Sequence, residues 1–534
     1  MISLKDSLPP LAARTLPTAW IAACEADPSR VFLKWKESEF TYTEADRLSN
    51  GAANLLLAGG VRAGECVLVF MDNCPEYVWL LLGIAKIGAV GVPINSEAKG
   101  PLLTYYLSDS KASFAVVDSN LAATLFTASE QVRDFTQCWV RNVDESEISQ
   151  AAGVLTLSIA EESQVSIAGD IEVWTPYLMM YTSGTTGPSK AVVVPHGHVM
   201  TTGAIVEAVY ELNDTDCLYT CLPLFHVNAI EYTFAAAVSA KAAMALSTRF
   251  SSRTFWQHVK DFDATVTNVM GSMLQVLEKL PITEDESANG LNKIFVVPFP
   301  NDPAAVASRF GVQLMTMYGL SEWIPIAMSR PGEGYDRHFM AGPILDTSEV
   351  RIADSNDIEV PVGVEGEIVV RSAEPWTQLI EYYGKADATA TAFRNGWFHT
   401  GDAGRVDSDG YLYFTGRIKD AIRRRGENIS AFEVEEFLRA EPRISEVAAV
   451  PVPSDLGEDD VALFVLPREN ESITAEEVAE FAAEVLPRYM LPSYIMVVAE
   501  LPKTANTKVQ KFKLVEWAKA HLDEMYQPPV RPRA

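Results

Sequence analysis

The stretch "MMYTSGTTGPSKAVVVPHGH", residues 179–198, decides how this chain is read. Apolar residues lead in, a run of Ser, Thr, Gly and Pro follows, and Lys190 opens a second, β-branched run. A turn between two strands commonly uses about two to five residues. Here the interruption is longer and offers hydroxyls and bare backbone. Successive N–H groups in a Gly-rich turn form a nest for anions, Ser and Thr hydroxyls add donors, and a lysine at the rim supplies charge. The stretch therefore reads as a phosphate cradle entered from one strand and left by another. It is not the GxxxxGK[ST] loop, because Gly184 is followed by Thr185, Thr186, Gly187, Pro188 and Ser189 before Lys190 arrives.

Upstream, "FTYTEADRLSNGAANLLLAGG" is amphipathic with a glycine stop, "ECVLVFM" is a short apolar strand, and "PEYVWLLLGIAKIG" is a helix feeding "AVGVPIN". The rhythm recurs at "SFAVVDS", "CLYTCLPLF" and "KIFVVPF". It is the pattern of parallel sheets covered by helices, an α/β fold. From about 335 to 416 the texture turns to short β-rich pieces such as "GEIVVRS" and "DSDGYLYFTG", which predict a small β-barrel-like subdomain. Beyond it "SAFEVEEFLRA", "EVAAVPVP" and "DVALFVLP" predict a compact α+β unit. The expected division is a large N-terminal domain of layered α/β subdomains, 1–416, and a small C-terminal domain, 417–534.

Composition narrows the function. The 534 residues carry 71 acids against 43 bases, a formal charge of −28, which argues against nucleic acid or anionic membrane as a partner. The most hydrophobic region is broken by Lys86, three glycines and Pro93 and reads as a buried helix and strand. No secretory signal is visible, and the six cysteines form no CxxC pair, so a cytoplasmic location is expected.

Four further motifs follow in order: "MYGLSEW" at 317–323, "WFHTGD" at 397–402, "GRIKDAIRRRGENIS" from 416, and "LPKTANTKVQK" from 501. With the Ser/Thr/Gly loop they make the chain resemble the adenylate-forming superfamily of acyl-CoA synthetases, luciferases and peptide-synthetase adenylation domains, from about residue 17 to 514. The resemblance implies ATP-dependent activation of a small carboxylic acid as an acyl adenylate, then thioester formation with coenzyme A. ATP, Mg²⁺ and coenzyme A are the implied cofactor and co-substrates, and a homodimer is carried as an expectation.

The roles of residues are likewise implied by the resemblance. Thr182, Ser183, Gly184, Thr185, Thr186 and Lys190 would clamp the phosphates. Tyr318 and Gly319 would form the adenine-stacking turn, Ser321 would join the nucleotide site, and Glu322 would hold magnesium. Asp402 and Arg417 would grip the ribose, with Arg423 near the nucleotide. Lys508 aligns with the catalytic lysine, whose ammonium offsets charge building on the carboxylate and α-phosphate. Lys419 matches the hinge about which the mobile C-terminal domain turns, and Arg249, Arg425 and Gly426 would border coenzyme A.

The match weakens in the acyl pocket. His226, Asn228, Glu231, Tyr232, Phe299 and Trp323 are expected to line it, and Val297, Pro298 and Phe299 to narrow it. Aromatic faces with an acid suit a quaternary ammonium, in keeping with a likeness of "RRRGENISAFEVE" to the carnitine/crotonobetaine–CoA ligase branch. A pocket for an apolar or aryl acid is the competing reading. Two rival functions are a stand-alone enzyme loading a carrier protein and a non-catalytic nucleotide sensor; retention of Lys508 with Glu322 and Asp402 argues against the sensor.

Overall fold

The computed structural model describes residues 1–130, 132, 135–143, 153–165, 170–182, 189–287, 290–300, 302–337, 340–418, 421–424, 426–454, 457–503 and 509–529. The chain opens with helix Leu16–Ala26 and the hairpin of β1 (Val31–Trp35) and β2 (Ser38–Thr41). Helix Tyr42–Ala58 starts at a capping box: Thr41 Oγ1 accepts the Glu44 N–H at 3.2 Å while Glu44 Oε2 accepts the Thr41 N–H at 2.7 Å. It ends at Gly59, the expected stop.

The first sheet is built on β3 (Cys66–Phe70), β4 (Val90–Pro93), β5 (Phe114–Asp118), β6 (Gln137–Arg141) and β7 (Val154–Thr156). These run parallel in the order β4-β3-β5-β6-β7. The hairpin of β8 (Pro176–Thr182) and β9 (Lys190–Pro195) extends it past β4, and the short β20 (Glu381–Tyr382) pairs with β9. The loop opening the sequence reading therefore joins two neighbouring antiparallel strands.

The second sheet contains β10 (Cys217–Thr220), β11 (Ala243–Leu246), β12 (Val266–Met270), β13 (Lys293–Val297) and β14 (Gln313–Met315), with β1 and β2 at its edge. Its parallel order β11-β10-β12-β13-β14 repeats the path of the first sheet. In both, the first strand is central, the second lies on one side and the next three on the other. Such an order leaves a crevice outside the carboxyl ends where the direction of winding reverses, the usual place for a ligand.

Helix Pro75–Lys86 is buried at every position but Glu76, which explains why "PEYVWLLLGIAK" is apolar on nearly all sides. One apolar cluster joins Val67 and Val69 of β3, Val78 and Leu82 of this helix, and Leu218 and Met244 of the second sheet, so the core lies between the sheets. A hairpin of β15 (Met317–Leu320) and β16 (Trp323–Met328) leads from it into an antiparallel sheet. That sheet comprises β17 (Met340–Pro343), β18 (Ser348–Ala353), β19 (Gly366–Ser372), β21 (Phe398–Val406) and β22 (Tyr411–Arg417), in the order β17-β22-β21-β19-β18.

The C-terminal part holds the hairpin of β23 (Ala421–Arg424) and β24 (Glu427–Ser430), then helix Ala431–Leu438. After these come β25 (Ile444–Pro453), β26 (Asp459–Pro467) and β27 (Tyr494–Val497), with helices Ala475–Val485 and Lys511–Ala520. Among the described residues no helix is long and apolar enough to cross a membrane, and all six cysteines are free.

Candidate active site

The site draws on the segments that follow strands of the second sheet, on the β8–β9 hairpin of the first and on the antiparallel sheet. Tyr318, two residues beyond Thr316 at the end of β14, donates its hydroxyl to Asp402 Oδ2 at 2.7 Å. Asp402 is 1% exposed, and its own N–H bonds Thr400 Oγ1 at 3.1 Å. In the β21–β22 register Asp402 stands opposite Arg417, whose side chain lies outside the described residues. Gly319 permits a close approach: a Cβ there would lie 2.5 Å from Met317 Cε and 3.1 Å from the Tyr232 hydroxyl. Tyr232 therefore stands beside the Tyr-Gly turn.

A second group gathers where the phosphate loop ends. Glu322 Oε1 accepts the Tyr382 hydroxyl at 2.9 Å, and the Lys190 ammonium sits 4.7 Å from the centre of the Tyr382 ring. Thr182 closes β8, its hydroxyl donating to the Lys190 carbonyl at 3.5 Å. Ser189 is gripped from both sides: its carbonyl accepts the Tyr105 hydroxyl at 2.6 Å, and its N–H donates to Glu433 Oε1. Burial pushes the Glu433 carboxyl upward, opposed by the bonds from Ser189. Ser183, Gly184, Thr185 and Thr186 lie outside the described residues. The Glu322 carboxylate is a donor of the kind that suits magnesium, which takes carboxylate and phosphate oxygens.

The third group faces the small domain. His226, following β10, meets Glu427 of β24, Nε2 to Oε1 at 2.9 Å. Burial alone would lower the imidazole, but the charge and hydrogen bond of Glu427 more than offset it, so its affinity for a proton is raised. Asn228 Oδ1 accepts the Asn268 amide at 3.1 Å. Gly426, at φ +85°, passes so close to Met270 that a Cβ would stand 2.9 Å from its Cγ. Arg423 lies on β23, its N–H bonded to Asp459 at 3.2 Å, and Arg249 is exposed after β11. Ser321 occupies the turn of the β15–β16 hairpin. Lys419, Arg425 and Lys508 lie outside the described residues. Lys511, three residues beyond Lys508, bonds Glu435 at 2.6 Å. Two positions along a helix is about 200° of turn, so Lys511 and Ser189 hold opposite sides of helix Ala431–Leu438.

Three residues expected in the acyl pocket are buried in contacts within the fold. Glu231 presents no open carboxylate to a cationic group. It is 1% exposed, with Oε1 3.3 Å from the equally buried His198 Nε2. Trp323 is spent in the core, its Nε1 donating to Ser348 at 2.9 Å and its ring stacked on Phe398. Phe299 is buried against Tyr335, drawn into an apolar cluster behind the sheet. The bulk of Pro298 is absorbed at Gly271, where a Cβ would meet Pro298 Cδ at 2.9 Å.

Sequence reasoning missed Tyr382, Glu427, Glu433 and Asn268. The two acids lie inside the quoted "RRRGENISAFEVE", but only the fold shows what they touch. Elsewhere, Asp357, Glu367 and His399 cluster within 4.8 Å. Arg394 already donates to both carboxylates, at 3.2 and 3.1 Å, and supplies their countercharge. A cleft of about 660 Å³ opens outside the ends of β3, β5 and β6, lined in part by Asp72, Asn73, Asp118 and Arg141.

Comparison with known proteins places this geometry. Residues 21–383 match the profile of the AMP-binding enzyme family, and residues 433–508 that of the AMP-binding enzyme C-terminal domain. The chain is 30% identical over 494 residues to the crotonobetaine/carnitine–CoA ligase of Proteus mirabilis, covering 89% of this chain and 93% of that one. The fold matches a variant of o-succinylbenzoate CoA synthetase from Bacillus subtilis with a TM-score of 0.80 at 23% identity, covering 93% and 98%. It matches an amide bond synthetase from Marinactinospora thermotolerans with a TM-score of 0.81 at 21% identity, covering 93% and 99%. The chain belongs to the AMP-binding enzyme family and is an adenylate-forming, AMP-forming acid–CoA ligase.

Proposed function

We propose that the enzyme joins a small, carnitine-like carboxylic acid to coenzyme A in two half-reactions. In the first, a carboxylate oxygen attacks the α-phosphorus of ATP and the bond to pyrophosphate breaks. In the second, the coenzyme A thiolate attacks the acyl carbon, a carbon–sulfur bond forms, and AMP leaves with the electrons of the carbon–oxygen bond. The observation that carries the reading is that one hairpin supplies both Tyr318, bonded to Asp402, and Glu322, bonded to the Tyr382 whose ring the Lys190 ammonium faces. A ribose grip and a phosphate-and-metal corner are both needed for adenylate chemistry.

Asp402 would accept the ribose hydroxyls, the Tyr318 ring would stack on adenine, and Lys190 with the Ser/Thr/Gly loop would hold the outgoing phosphates. Glu322 would hold magnesium, an ion that neutralises phosphate charge when bound. Lys508 would approach the reacting oxygens from the C-terminal domain. The placement of Lys511 on the far side of helix Ala431–Leu438 from Ser189 supports a turn of residues 417–534 about Lys419 between the half-reactions. His226 and Asn228, with Arg249, Arg425 and Gly426, would line the acid and thiol side.

The likeness to crotonobetaine/carnitine–CoA ligase supports the acid's class. Free cysteines support a cytoplasmic location. AMP release with and without coenzyme A, measured over carnitine-like, short aliphatic and aryl acids, tests the whole. Coenzyme A-dependent turnover led by the carnitine-like acids is expected; turnover of aryl acids alone overturns the substrate, and adenylate formation without thioester overturns the acceptor.

A further inference from the structure

Asn73 closes the loop after β3, in the first sheet, yet all three hydrogen bonds of its side chain go to the second. Its Nδ2 donates to the carbonyls of Leu222 and Ser247, both at 2.9 Å, and its Oδ1 accepts the Leu224 N–H at 2.8 Å. The residue is 4% exposed. Both amide hydrogens are used, so the side chain acts as a two-sided clip.

The segments it ties are the ones the acid and thiol end depends on. Leu222 and Leu224 belong to the irregular stretch between β10 and His226, and Ser247 opens the stretch between β11 and Arg249. Their polar backbone atoms are buried and outside the strand ladders, so a side chain must supply the partners that secondary structure does not. The clip has a firm base. The Asp72 N–H donates to Asp118 Oδ2 at 2.9 Å, and Asp118 Oδ1 accepts Arg141 Nε at 2.6 Å. Neither β15, which carries Tyr318, nor β21, which carries Asp402, receives a bond from the Asn73 side chain.

We propose that Asn73 is a positioning residue for the acid and thiol end of the active site, holding the His226 and Arg249 segments in register while leaving the nucleotide grip untouched. The inference rests on the function proposed above, in which those segments serve acid and coenzyme A. It makes the winding-reversal point of the first sheet a clamp for that of the second.

The test combines hydrogen exchange with calorimetric titration of AMP and of coenzyme A, on wild type, N73A and N73D. In N73A the amides around Leu224 should exchange faster, coenzyme A should bind about tenfold more weakly, and AMP affinity should hold within about twofold. In N73D a carboxylate faces two carbonyls, so it repels them when ionised and regains one donor when protonated. Its coenzyme A defect should therefore shrink as pH falls from 8 to about 6, while the defect of N73A, which adds no titratable group, should keep its size. Wild type that takes AMP but not coenzyme A refutes the proposed function, and unchanged exchange in N73A then refutes the clamp as well. Coenzyme A binding and exchange identical in N73A and wild type, or a pH-independent N73D defect, refute the positioning role alone.

Discussion

Replacing Asp402 by Asn tests the proposed ribose grip. The carboxylate is buried at 1% exposure, and one of its oxygens already accepts the Tyr318 hydroxyl at 2.7 Å. In D402N one acceptor remains, shared between Tyr318 and a ribose hydroxyl, and an amide donor faces the other hydroxyl. A hydrogen bond to a charged group contributes about 1.5–3 kcal/mol, so losing one and weakening another costs roughly 3 kcal/mol, or about 150-fold in AMP affinity. Calorimetry with AMP and 2′-deoxy-AMP reads this directly. Wild type should prefer the ribonucleotide by about tenfold or more, and D402N should lose the preference. Y318F, which removes only the donor that orients the carboxylate, should cost about tenfold, and the double variant should cost less than the sum. D402N that still discriminates the 2′-hydroxyl would refute the ribose assignment.

Three further outcomes are expected. K508A should slow acid-dependent ATP–pyrophosphate exchange about a hundredfold while leaving coenzyme A attack on supplied acyl adenylate unchanged; equal loss of both steps would contradict a role confined to adenylation. The His226 imidazole is raised by Glu427, so the contact between the two parts of the chain is at full strength below the ordinary histidine value of about 6.5 and fades as pH climbs through the raised one. Single-turnover thioester formation should show that decline and E427Q should flatten it; a profile unaltered by E427Q counts against the contact. His196, stacked on Tyr177, is pushed down by burial to about 3, so the fold keeps its neutral ring above 6.5 and loses stability as pH falls toward 3. Urea titrations should show this group contributing a loss of about 2 kcal/mol between pH 6.5 and 5, absent in H196F.

What the sequence made legible follows from the range of the forces involved. Apolar runs become strands and helices because burial is read from neighbours in sequence, and "PEYVWLLLGIAK" and "SFAVVDS" fall where their patterning puts them. Tyr318 and Asp402 were nameable singly because each sits in its own short motif, while the hydrogen bond between them was not. Partnerships between distant segments were not legible. Glu231 looked available in "AIEY", and only the packing of helix His196–Val209 against it reveals the contact with His198. Phe299 and Trp323 looked like pocket aromatics for the same reason, since an aromatic residue's sequence neighbours do not tell which side of a sheet its ring joins. Tyr382 carries no local signal and enters the site because β20 pairs with β9 beside the phosphate loop.

The grasp of the Ser189 amide by Glu433 has an implication for order. One amide N–H can serve one acceptor at a time, and here the acceptor is supplied by the protein itself. On the function proposed above, a polyphosphate reaching that amide would have to displace Glu433, so it and this arrangement of the two lobes would compete for one donor. Discharge of pyrophosphate would then be the permission for the second lobe to settle, an interlock that orders the two half-reactions.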